Sequence, residues 1–205
     1  MNSAKIRLSG EEQLQVLNGD WILTKNRILQ EIDLFFGKLQ QDQQNLFAQS
    51  LKKLPESVDT IPPKISRGEN FGGLPYRVLD YPRCFQPSGI FAVRTLFWWG
   101  HFFSVTLHLS GSWKTASQEA VIRHYRQLKD WGFLVCTGAD PWQQDPASGQ
   151  YQLVGQLSLR AFEKITREQS FIKLVAKHEL ADWEQIPGRL LEDFKRLMET
   201  AGYAG

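Results

Sequence analysis

Residues 90–109, IFAVRTLFWWGHFFSVTLHL, form the densest apolar and aromatic run in the chain, and their reading decides the fold. Both halves are rich in β-branched and aromatic residues, which suit a pleated surface. Gly100-His101 divides them, and glycine takes the positive φ that a two-residue II′ turn needs at its first position. The run therefore reads as a β-hairpin. A two-residue turn pairs Trp99 with Phe102, Phe97 with Ser104, Thr95 with Thr106 and Val93 with His108. The other face then carries Ile90, Ala92, Arg94, Leu96 and Trp98 beside Phe103, Val105, Leu107 and Leu109. That face is almost wholly apolar and is expected to be the core side. A three-residue loop would shift one arm by one position and spoil this separation.

Arg94 interrupts the apolar face. A guanidinium cannot shed its charge, so burial demands a carboxylate or several carbonyls. Asp80 is the first choice of partner. His108 falls on the mixed face with Thr95, Ser104 and Thr106.

The chain has 205 residues and reads as a single domain with three segments: helical over 1–53, an irregular connection over 54–75, and an α+β core over 76–205. With 24 Lys and Arg against 22 Asp and Glu, the net charge is +2. The two signs are intermixed, and the basic patch expected of a nucleic-acid binder is missing. Cys84 and Cys136 stand alone, without CxxC or zinc spacing. The N-terminus lacks the apolar core of a signal peptide. The run at 90–109 is long enough for a membrane span, but Arg94, Gly100 and two histidines argue for a hairpin. A cytoplasmic protein without membrane segments is expected.

Along the chain, Ser9 and Glu12 make a capping box before a short helix. A long helix follows from about Asp20 toward Leu51, with Trp21, Ile28, Ile32, Phe35, Leu39 and Leu46 at helical spacing. Residues 54–75, rich in Pro and Gly, read as irregular. Tyr76 to Tyr81 reads as a short strand ended by Pro82. A capped helix from Thr115 to Trp131 leads to a strand at 133–137. A turn-rich loop over 139–149 then leads to a strand at 151–154. Ser158 caps another helix. Phe171–Glu179 alternates cleanly: Ile172, Leu174, Ala176 and His178 face one way, with Lys173, Lys177 and Glu179 on a solvated face at a sheet edge. Pro187 opens a last helix with the stripe Leu190, Leu191, Phe194, Leu197 and Met198. The expected fold is α+β. A mainly antiparallel sheet of five or six strands is built on hairpins, with helices on one face and an N-terminal long helix or helical hairpin.

No sequence motif specifies a reaction. There is no dinucleotide or phosphate-binding glycine loop, no HExxH and no nucleophile elbow, and the carboxylates are dispersed. Neither a metal nor a cofactor is implied. What remains is a constellation: Arg77, Asp80, Tyr81 and Arg83 before the hairpin, and Arg94, Trp99, Ser104 and His108 within it. Folded back along the sheet, these groups would form an aromatic-walled, partly cationic cleft suited to a small anionic or planar ligand. The alternative is an interaction or scaffold protein, most simply a homodimer that buries the Phe91/Phe97/Trp99/Phe102 face.

Overall fold

The computed structural model describes residues 6–204. Two helices come first, α1 (Gly10–Leu17) and α2 (Gly19–Gln49), followed by a single turn, α3 (Glu56–Asp59). Four strands run in succession: β1 (Lys64–Phe71), β2 (Leu74–Gln86), β3 (Gly89–Trp98) and β4 (Phe102–Ser110). Helices α4 (Gly111–Arg123) and α5 (Tyr125–Asp130) lead to β5 (Leu134–Cys136) and β6 (Tyr151–Leu153). Helix α6 (Leu159–Glu168), β7 (Phe171–Glu179) and α7 (Ile186–Met198) complete the order.

The strands make one antiparallel sheet in the order β1-β2-β3-β4-β7-β5-β6. It has seven strands rather than five or six. The extra one is β1, which lies in the stretch expected to be irregular. Its sequence, KISRGENF, has no apolar alternation because it is a half-exposed edge strand. The bond that orders it is a hairpin ladder to β2, closed over Gly72-Gly73. Strand β2 likewise does not end at Pro82 but continues to Gln86, with a register shift between Asp80 and Arg83.

The β3–β4 turn corrects the expected register. Trp98, not Trp99, pairs with Phe102, so the loop has three residues, and Phe97 faces Phe103. His101 N donates to Trp98 O at 3.1 Å, with Gly100 at φ +73° in the third turn position. That position needs a positive φ, which glycine supplies without a Cβ clash. The one-residue shift gathers Arg94, Ser104, Thr106 and His108 on the same face. The opposite face holds Phe91, Val93, Phe97, Phe103, Val105, Leu107 and Leu109, with Thr95 the one polar member. Polar groups thus separate from the core better than the two-residue turn would allow.

The apolar face carries the helices. Leu29, Ile32, Phe36 and Leu39 of α2, Val121 of α4, and Leu190, Phe194, Leu197 and Met198 of α7 join one core with it. On the second face, the curled β1–β2 end packs Phe71, Leu74 and Tyr76 against Val78, Leu96, Trp98 and Phe102. Strand β7 shows the expected alternation but lies inside the sheet, between β4 and β5. Its Lys173 is not solvated; it is 1% exposed, covered by the loop after β5. Phe91, Phe97 and Phe102 are also buried within the chain, while Trp99 is half-buried. Among the described residues, no helix is long and apolar enough to cross a membrane.

Candidate functional site

The second face of the sheet has a polar centre between two walls. Asp80, Arg94 and Thr106 lie side by side across β2, β3 and β4 in register. His108 and Lys173 are register partners on β4 and β7, one pleat further along. These positions follow from the period-2 geometry of strands once the register is set.

Arg94 has the partner anticipated for it. Its Nε donates to Asp80 Oδ1 at 2.7 Å and its Nη2 to Asp80 Oδ2 at 2.9 Å, a bidentate fork. Asp80 is buried and the Arg94 side chain is 25% exposed. Of the five N–H donors on a guanidinium, three remain for another acceptor. Lys173 Nζ donates to the carbonyls of Pro141, at 3.1 Å, and Gln143. It has no carboxylate partner among the described residues. Burial lowers its pKa to about 8; the Arg94 charge adds to this, while Cys136 and Asp140 oppose it. At neutral pH it is still mostly an ammonium. Burial likewise pushes the His108 imidazole down to about 4, with Lys173 and Arg94 adding repulsion. His108 is therefore neutral at pH 7, and its buried Nε2 has no hydrogen-bond partner.

The loop 137–150 roofs this cluster. It is pinned by Lys173 and by Tyr151, whose hydroxyl donates to Gln143 O at 2.6 Å. Trp142 lies edge-on to His108, with ring centroids 5.6 Å apart. Under the roof is a space of about 10 Å³, room for one water, lined by Arg94, Thr106, His108, Lys173, Trp142 and Gln144. Next to it a cleft of about 160 Å³ runs between Phe71, Tyr76, Val78 and Leu96. Arg94 and Gln144 line both spaces.

Of the eight residues anticipated for a site, Asp80, Arg94 and His108 come together here. Ser104 shares their face, buried, but lines neither space. Arg77 and Tyr81 point to the helix-covered face. Arg77 Nε lies 3.1 Å from Asp33 Oδ1 on α2, and Tyr81 stacks with Phe194 of α7. Trp99 sits in the β3–β4 turn with its ring against Phe97 on that same side. Arg83 Nε donates to Pro62 O at 2.8 Å and serves the loop before β1. The sequence reading missed Lys173, Trp142 and Gln144. The alternation of β7 put Lys173 on the correct face; only the β4–β7 pairing places it beside His108.

A larger concavity, about 430 Å³, opens beside α7 around His178 and Asp193. Its cations are already matched: Lys177 with Glu179 at 2.9 Å, Arg189 with Asp182 at 2.6 Å, Arg196 with Glu192 at 3.1 Å. It has size but no unbalanced charge. No group of metal-ligating side chains occurs among the described residues. No protein-family model, curated protein or solved structure matches the chain.

Proposed function

We propose that the protein binds a small planar anion on the second face of its sheet, the anionic group against Arg94 and the apolar body in the neighbouring cleft. One observation carries this reading: buried positive charge without full compensation. Arg94 and Lys173 contribute two cations, Asp80 one anion, and His108 none. An uncompensated buried charge is costly unless something neutralises it. A carboxylate or phosphate would use the spare guanidinium donors of Arg94. The cleft at about 160 Å³ is smaller than the roughly 300–1,000 Å³ typical of drug-sized ligands, so the occupant is small. Phe71 and Tyr76 provide faces for a planar group. The reading concerns binding and assigns no reaction. The free, buried Cys84 and Cys136 suit a reducing compartment, and a cytoplasmic location belongs to the same proposal.

Calorimetric titration with benzoate, inorganic phosphate and the uncharged benzyl alcohol tests it. Benzoate is expected to bind more tightly than benzyl alcohol. Arg94→Met should weaken benzoate by tenfold or more, the worth of a hydrogen bond to a charged group, about 1.5–3 kcal/mol. Binding should also fade above about pH 8 as Lys173 loses its proton. No binding of either anion, or unchanged benzoate affinity in Arg94→Met, would overturn the proposal.

A further inference from the structure

The N-terminal arm has an unmet need that is separate from the cleft. Helix α1 is well formed locally. Ser9 Oγ accepts from Glu12 N at 3.2 Å, and Glu12 Oε2 accepts from Ser9 N at 2.7 Å. Asn18 then ends α1 and caps α2, its Oδ1 accepting from Trp21 N at 3.2 Å. Yet α1 has no buried residue, and burial in α2 begins only at Leu29. An eight-residue helix without tertiary contact is marginal in water. Between residues 14 and 23, Leu14, Val16, Leu17, Trp21, Ile22 and Leu23 are 46–81% exposed, and Ile6 and Leu8 extend the patch.

We infer that this arm is a homodimerisation element, in which α1 and the first turns of α2 of two copies pack antiparallel into a four-helix contact. Three observations select a second copy of the chain. The first is area. Eight large apolar side chains, each baring on the order of 100 Å², reach the ~800 Å² per partner of a standard interface. The second is coverage. Trp21, Ile22 and Leu23 are consecutive and so spread around more than half of the α2 circumference. Such a helix needs partners on several sides, which a bundle provides and a flat surface does not. The third is self-complementarity. The apolar run is centred on the Asn18-Gly19 elbow, with Glu11 toward one end and Arg27 toward the other, while Lys25 is already paired with Glu69 at 3.0 Å. A two-fold axis beside the elbow brings Leu14 to Leu23, Leu17 to Trp21, and Glu11 to Arg27 of the second copy. A membrane surface is disfavoured, because interfacial helices carry an excess of Lys and Arg, whereas in this arm Glu11, Glu12 and Asp20 balance Arg7, Lys25 and Arg27.

Sedimentation velocity on the full chain tests the inference. The wild type is expected to be a dimer, and Leu17→Glu/Trp21→Glu a monomer in which the slow amide exchange of β3 and β4 is retained. Leu14→Lys/Leu23→Lys should behave in the same way and guards against a folding defect of the first variant. Glu11→Arg and Arg27→Glu should each weaken the dimer several-fold, and the two together should restore it. A wild-type monomer at high micromolar concentration overturns the inference, as does a dimer indifferent to both apolar variants. Co-sedimentation of a monomeric chain with phosphatidylglycerol vesicles would equally refute it, by making a lipid surface the partner.

Discussion

Arg94 is where the sequence was most informative about a single residue. A charge that cannot be shed, placed in an apolar strand, requires a carboxylate, and Asp80 is the partner found, in bidentate geometry. The same pair competes with any bound anion. Asp80→Asn is therefore expected to destabilise the free protein by about 1–3 kcal/mol, since it leaves Arg94 unpaired in a mostly buried position. It should also tighten benzoate binding. Urea denaturation and calorimetry on the same variant check both parts. His108 makes a separate prediction about pH. Its folded pKa of about 4 lies below its ordinary value of 6.5, so the unfolded chain takes up the proton first as the pH falls. Stability due to neutral His108 is complete above about pH 6.5 and is lost progressively toward pH 4, by up to about 3 kcal/mol. His108→Gln should flatten that part of the pH profile, measured by urea unfolding between pH 7 and pH 4.

Among the elements, the hairpin existed as read, but its first arm ended one residue earlier than expected, giving a three-residue loop. The reason is local. Gly100 serves a two-residue or a three-residue loop equally well, and the choice between them falls to the faces they create. Arg94 on one arm and Ser104, Thr106 and His108 on the other cost least when they share the face away from the helices. The β4–α4 junction depends on a second glycine. Gly111 has φ +56°, and a Cβ there would lie 2.1 Å from Ser88 O. Ser88 O is a backbone atom, as are the next nearest, Gly89 Cα and Ser88 C, so nothing nearby can rotate away. Gly111→Ala should cost about 3 kcal/mol in chemical denaturation. The roof loop depends on Lys173. Lys173→Met removes its donors to Pro141 and Gln143, and amide exchange over residues 139–150 should accelerate at least tenfold while the sheet amides keep their rates.

For the whole molecule, burial is uneven. Strands β3 and β4 are enclosed by neighbours on both sides and by helices beneath, whereas α1 touches no core. Hydrogen exchange is expected to be slowest in β3, β4 and β7 and fastest in α1 and the first turns of α2, unless dimerisation protects the arm. A concentration dependence of exchange confined to residues 10–28 would link the two observations. The ligand cleft and the arm lie on different parts of the chain, so each can fail its test without affecting the other.

The sequence by itself determined the element types. Periodicity, capping residues and turn glycines are local, and they identified α2, the hairpin, the alternation of β7 and the stripe of α7. They also named Asp80, Arg94 and His108, because a polar group in an apolar strand is visible without a fold. Only the tertiary structure decided which strands are neighbours and which face each one shows. Lys173 comes from 65 positions after His108 and meets it solely through the β4–β7 register. Edge strand β1, mostly polar, is ordered by its ladder to β2 rather than by any pattern of its own. Both outcomes depend on backbone hydrogen bonds between strands, and backbone donors and acceptors carry no side-chain signature.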